Sequence, residues 1–219
     1  LPNQNPVVIA DVLPANVENL TLTGKTAIDG NGNALANIVT GNDAANRLSG
    51  FDGADRLDGA GGNDILRGGD GSDTYVFNAG FGQDVIEEDV RLVTYKDQDV
   101  VRFGPGLTAA DAVLTREGDD LVIGFAGSTD TLRIAGQFVH HAYYGGWSDI
   151  ERIEFHDGTV WMDADVRVAL LAQAVTSGAD TITGFYTSDV LDGGAGDDIR
   201  HGAGGGDTYI FGKGSGSDR

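Results

Sequence analysis

The 219-residue chain contains no cysteine, which excludes a disulfide framework and a thiolate metal site as the staple of its fold. Positive charge is scarce: 14 Lys and Arg stand against 34 Asp and Glu, for a formal net charge of −20. A surface of that sign repels nucleic acid, so no nucleic-acid partner is expected. Long apolar runs are also missing. Nothing approaches the roughly 20 residues that cross a bilayer, and no transmembrane segment is expected. The opening LPNQNPVVIADVLP lacks the basic start and the small-residue cleavage site of a secretory signal. What is abundant is glycine, 35 of 219 residues, against a usual share of roughly 7%. Asp supplies 28 of the acids, and glycine with Asp means turns. With 40% apolar residues the chain still has enough for a core.

Cut every nine residues from Gly41, the chain reads GNDAANRLS, GFDGADRLD, GAGGNDILR and GGDGSDTYV, and a fainter copy, GNALANIVT, begins at Gly32. Position six is Asn46, Asp55, Asp64 and Asp73; position eight is Leu48, Leu57, Leu66 and Tyr75. The same cut fits VTSGADTIT from Val175, GFYTSDVLD, GGAGDDIRH and GAGGGDTYI. Both arrays run into a similar tail, FNAGFGQD from Phe77 and FGKGSGSD from Phe211, which places Asp84 and Asp218 eleven residues after the last repeat Asp. Asp73 and Asp207 are 134 residues apart, so the larger repeating unit is about that long and the chain is expected to stop inside a second copy.

Six residues rich in glycine and Asp cannot pack a core, but they let the backbone turn and approach a ligand closely. The last three positions of each nonapeptide predict a short strand with position eight inward, and alternate turns then fall on the same side of a stack. Turns 18 residues apart face each other with carboxylates and carbonyls converging. Oxygen cages of this kind suit calcium, which takes six to eight oxygen ligands in flexible geometry.

These nonapeptides resemble the GGxGxDxUx repeats of the RTX, or haemolysin-type calcium-binding, family over roughly residues 32 to 86 and 175 to 219. The resemblance implies an all-β fold, a parallel β-roll with calcium between successive turns, in a host protein that leaves Gram-negative bacteria by type I secretion. Carried over by motif position, the metal-binding residues of the first array are Gly41, Asp43 and Asn46, then Gly50, Asp52 and Asp55. Gly59, Gly61, Gly62 and Asp64 follow, then Gly68, Gly69, Asp70, Gly71 and Asp73, with Asp84 in the tail. In the second array they are Asp180, then Gly184, Tyr186 and Asp189. Gly193, Gly194, Ala195, Gly196 and Asp198 come next, then Gly202, Gly204 and Asp207, with Asp218 in its tail. Three departures predict weaker outer turns: Asn46 for Asp, Ala44 for a turn glycine, and Arg200 in an inward apolar slot, where its guanidinium must escape to solvent or cost several kcal/mol. The first array is expected to bind calcium more completely than the second, whose tail turn ends at Asp218 beside the terminus, where fraying is expected, and which carries Arg200.

Between the arrays the pattern becomes that of ordinary strands in VIEEDV, DVVRF, DLVIGF, DTLRIAGQF and IERIEFHDGTVW, expected to form an antiparallel cap that continues the roll, with a helical turn at Asp111 to Leu114. This stretch resembles the haemolysin-type calcium-binding related domain that often follows RTX repeats. A helix is expected from Ala164 to Val175 with Asp163 as N-cap, Gly178 ending it, and Val166, Ala169, Leu170 and Gln173 on one face. The expected organisation is 1–31, partial repeats that close the amino end; 32–86, first β-roll; 87–162, β-rich capping domain; 163–176, linking helix; 177–219, second roll.

Other chemistry is thin. His140, His141, His156 and His201 are scattered without zinc-site spacing. Glu87, Glu88 and Asp89, or Glu151 with Glu154, read as solvated acidic faces rather than a glycosidase pair. No G-x-S-x-G, H-E-x-x-H or phosphate loop occurs, no Asp-Pro bond offers self-processing, and no enzymatic activity is expected. The aromatic segment HHAYYGGW, residues 140 to 147, suits packing on a neighbouring module of the same parent chain better than stacking on sugars. The function expected is a calcium-binding structural module of a large secreted protein, extracellular and in some settings cell-surface associated. The alternatives are a glycan- or surface-binding adhesin module, and a carboxyl-terminal module of a secreted hydrolase or epimerase.

Overall fold

The computed structural model describes residues 12–88, 97–139, 150–212 and 214–219. The chain divides into two compact units, Leu1–Met162 and Asp163–Arg219. The first opens with β1 (Asn19–Thr21), β2 (Gly30–Asn31) and β3 (Ile38–Thr40) and continues through β4 (Arg47–Asp52), β5 (Arg56–Asp58), β6 (Ile65–Asp70) and β7 (Thr74–Phe77). Each strand forms where a nonapeptide carries its inward residue between two outward ones. A polar turn follows, so consecutive strands land on opposite sides and build two sheets.

In one sheet β1, β3, β5 and β7 run parallel, and in the other β2, β4 and β6 do the same. The register step is one turn of the solenoid, with Leu48 opposite Leu66 and Leu57 opposite Tyr75. These four side chains and Val39 are fully buried between the sheets. The fold is a parallel β-roll. Strands β1 and β2 are its first described strands; residues 1–11 lie outside the described residues.

Downstream come β8 (Gln83–Glu87), β9 (Val100–Phe103), β10 (Ala112–Glu117), β11 (Asp120–Phe125), β12 (Thr131–Ala135), β13 (Arg152–Glu154) and β14 (Val160–Met162). They differ from the expected antiparallel cap. Strands β8 and β12 extend the even sheet in parallel, and β9 and β13 extend the odd one. Antiparallel pairing is confined to the ends, β12–β11–β10 and β13–β14. The two core files continue through these layers, with Ile86 and Ile134 following Leu66, and Val101 and Ile153 following Tyr75. Longer loops hide this continuation from a nine-residue period, but the inward alternation persists. Phe77, Phe81, Phe103, Phe125 and Phe155 form a chain of ring contacts that fills this wider end. Residues 109–111 form a turn and Ala112 already begins β10, so the helical turn expected at Asp111 to Leu114 is strand beyond Asp111.

The second unit opens with α1 (Asp163–Gln173), followed by β15 (Thr181–Thr183), β16 (Val190–Asp192), β17 (Ile199–His201) and β18 (Thr208–Ile210). The helix begins at the expected cap but buries a different face: Val166, Arg167, Leu170 and Leu171, with Gln173 exposed. Arg167 accounts for the difference, because its guanidinium pairs with Asp163 at 2.7 Å and stands over the Phe185 ring. The short strands pair in parallel as β15–β17 and β16–β18. Arg200 does not escape to solvent. Its side chain is buried, paired with the buried Asp218 at 2.8 Å, donating to the Ile210 carbonyl and lying over Phe211. The ion pair holds the slot that Leu fills elsewhere.

Candidate metal centres in the turns

The register of the roll stacks position six of one turn on position six of the turn 18 residues earlier. One oxygen of each such carboxylate therefore meets a backbone amide of the preceding layer. Oδ1 of Asp55 accepts from Asn37 N–H, that of Asp64 from Asn46, that of Asp73 from Asp55 and that of Asp198 from Asp180, all at 2.7 to 2.9 Å. Asp207 and Asp218 repeat the contact at 3.1 Å. The tail Asp84 accepts from Asp64 N–H in the same way. The second oxygen is different. Oδ2 of Asp55, Asp64, Asp73, Asp84 and Asp198 is buried with no hydrogen-bond partner, an arrangement that is costly unless a cation or proton supplies the missing interaction.

The first glycine of each turn leaves room for that interaction. A Cβ at Gly50 would meet Asp55 Oδ2 and sit 2.7 Å from the Gly68 carbonyl oxygen, and Cβ atoms at Gly59, Gly68, Gly193 and Gly202 would meet Asp64, Asp73, Asp198 and Asp207. Side-chain and main-chain oxygens thus converge beside a missing side chain. Among the described residues no three His, Asp or Glu side chains gather into a cluster.

The turns come in two backbone states. Positions two and four both have positive φ at Phe51 and Gly53, Ala60 and Gly62, and Gly69 and Gly71. The second array repeats this at Gly194 and Gly196 and at Ala203 and Gly205. The four earliest turns have positive φ at neither position. In them the position-two N–H donates to the position-six side chain: Asn33 to Asn37, Asn42 to Asn46, Thr176 to Asp180 and Phe185 to Asp189, at 2.6 to 2.8 Å. The nine-residue spacing places all nine turns alike and does not distinguish the two states. Of the other expected ligand positions, Asp52 and Asp70 are register partners in β4 and β6, the Gly41 N–H donates to Asp58 O, and Tyr186 lies half exposed against Gly204. Gly61 and Asp43 flank each other 18 residues apart, and Gly184 faces Asp189. Ala195 sits between the two positive-φ glycines of its turn.

Burial raises the position-six acids of the first array. Desolvation, reinforced by neighbouring carboxylates and opposed by the backbone hydrogen bond, pushes Asp55 and Asp64 up to about 6, Asp73 to about 7 and Asp84 to about 8. Asp99, absent from the nonapeptide pattern, joins the file: it accepts from Asp73 N–H at 2.8 Å, its own N–H donates to Glu151, and burial raises it to about 8. The signal for it was the Asp that opens DVVRF, but 26 residues of spacing hid the relation. Asp130 was missed as well, and its two oxygens accept from the Gly80 and Gly82 amides of the tail turn. The residues His140, His141 and the rest of HHAYYGGW lie outside the described residues.

Comparison with known proteins decides the chemistry. The profile of the RTX calcium-binding nonapeptide repeat matches residues 31–66, 49–86 and 175–209, and that of the haemolysin-type calcium binding protein related domain matches residues 120–165. These turns are RTX repeats. Their metal is calcium, and the buried, partnerless carboxylate oxygens beside the turn glycines fit a hard dication that takes oxygen ligands. The chain is 36% identical over 124 residues to the iron-regulated protein FrpA of Neisseria meningitidis serogroup C, a match that covers 57% of this chain and 11% of that protein. Among solved structures it is similar to the extracellular lipase LipA from Serratia marcescens, with a TM-score of 0.36, 16% identity, and coverage of 86% of this chain and 29% of that one. The chain thus spans about a tenth of the curated relative's length.

Proposed function

We propose that this RTX chain is a folding module of a large type I-secreted bacterial protein: extended at the low calcium of the cytosol, and folded by calcium outside the cell. The observation that carries the reading is the set of buried carboxylate oxygens without partners at Asp55, Asp64, Asp73, Asp84 and Asp198. Calcium, when bound, supplies the positive charge that these carboxylates lack. The chain does the rest. Asp Oδ1 ties each turn to the amide of the layer before it, the turn glycine leaves space, and the inward Leu files seal the strands behind.

Because the carboxylates repel one another until the cation arrives, binding free energy becomes folding free energy. The role is structural, and any catalysis belongs to other parts of the parent protein. The test is far-ultraviolet circular dichroism of the chain in EGTA and in about 5 mM calcium, well above the sub-millimolar to millimolar affinity of extracellular calcium modules. A strong gain of strand signal with calcium is expected. Superimposable spectra with equal melting temperatures would refute the reading.

A further inference from the structure

The two turn states differ in what engages the position-six side chain. In the early turns the position-six oxygen is already engaged by an amide of its own turn, as in Asn42 N–H to Asn46 Oδ1 at 2.8 Å and Phe185 N–H to Asp189 Oδ2 at 2.6 Å. In the later turns the backbone at positions two and four has flipped to positive φ, and at Asp55, Asp64, Asp73 and Asp198 the freed oxygen has no partner. The φ values of +123 to +138° at Gly53, Gly62, Gly71 and Gly196 lie where only glycine is comfortable. Ala44 and Thr187 occupy the same position in early turns and resist the flip.

The Asn turns go further. Asn46 Nδ2 donates to the Ile28 carbonyl at 2.8 Å and to Asn42 Oδ1, and Asn33 Nδ2 donates to the Val17 carbonyl. There the layer before the turn presents carbonyls, which need donors, and an uncharged amide provides them without a cation.

We infer that the first two turns of each array, residues 32–46 and 175–189, are calcium-free starter turns closed by their own hydrogen bonds, and that calcium binding begins at the turns ending in Asp55 and Asp198. This rests on the calcium reading above. It removes Gly41, Asp43, Asn46, Asp180, Gly184, Tyr186 and Asp189 from the ligand set that motif position implies. Three of the four starter turns carry a non-glycine at position four, Leu35, Ala44 and Thr187, while Gly178 in the fourth keeps the unflipped backbone.

Native mass spectrometry of the whole chain with saturating calcium counts the ions. The isosteric Asp189→Asn variant is expected to carry as many ions as the unmodified chain, with half-saturating calcium changed by less than about twofold, whereas Asp64→Asn loses at least one. Loss of an ion from Asp189→Asn as well would overturn the inference and leave the calcium reading standing. Retention of every ion by both variants would overturn both. Should Asp64→Asn fail to fold, amide exchange in the unmodified, calcium-loaded chain decides. The Asn42 and Phe185 N–H groups are expected to exchange at least about tenfold slower than unstructured amides, and unprotected rates would mean that their acceptors have turned to the metal.

Discussion

A carboxylate buried without a counter-charge is unstable unless it finds a proton or a cation, and the position-six Asp residues can take either. Burial raises Asp55 and Asp64 to about 6, Asp73 to about 7, and Asp84 and Asp99 to about 8. With the metal-free folded values above the unfolded reference near 3.9, the folded chain holds more protons than the unfolded one across that window. Metal-free stability is therefore greatest at the acidic end and is lost as pH rises through about 6 to 8. Calcium inverts the dependence, because cation and proton compete for the same oxygens. In EGTA, the strand signal is expected to grow on acidification from pH 8 to pH 5, while the calcium needed for half-maximal folding rises over the same interval. Two titrations by circular dichroism check both, and an EGTA signal that decreased toward pH 5 would contradict the burial argument.

Arg200 shows the limit of residue-level reading. Repeat logic marks it as a defect, yet Asp218 neutralises it inside the roll. Its replacement by the Leu of other repeats is expected to destabilise by about 3–5 kcal/mol, since the buried Asp218 loses its partner. Urea midpoints at saturating calcium measure the change, and a gain in stability would show that the pair contributes nothing.

At the level of elements, the nonapeptide strands were legible because position eight is apolar in a polar surrounding, and Leu48, Leu57 and Leu66 are buried as that pattern requires. That the following strands continue the roll was legible as well, but not that β8, β9, β12 and β13 do so in parallel. Loops of differing length break the nine-residue step, although Val101 and Ile153 still take the inward file. What marks the end of each array is a tyrosine at position eight. Tyr75 OH accepts from the Gly68 N–H at 2.6 Å, and Tyr209 OH accepts from Gly202 at 3.1 Å. Each hydroxyl stands in for the strand carbonyl that other turn glycines use, as Gly41 uses Asp58 O. Tyr75→Phe leaves a buried amide unsatisfied and is expected to cost about 1–3 kcal/mol, with a smaller loss for Tyr209→Phe because Tyr209 is exposed. Chemical denaturation with calcium present compares the two, and equal losses would argue against the capping role.

For the whole molecule, a formal charge of −20 works against compaction until the turns are neutralised. Screening is a weak substitute for a bound ion. In EGTA, raising the ionic strength from about 0.01 M to 1 M shortens the Debye length from about 30 to 3 Å and is expected to recover only a small part of the calcium-induced strand signal, as read by circular dichroism. Full recovery by sodium chloride would show that general repulsion, rather than specific sites, keeps the chain unfolded.

Composition and period by themselves determined the solenoid, its inward files, the oxygen chemistry of its turns and the helix start at Asp163, because each of these is a local property repeated along the chain. Tertiary structure alone decided which turns leave a carboxylate oxygen free, how Asp99, Glu151 and Asp130 continue the ladder of acids, and why Arg200 is tolerated. Those outcomes depend on which backbone amide, carbonyl or counter-charge arrives from another layer, and at separations of 18 to 52 residues no local pattern encodes the arrival.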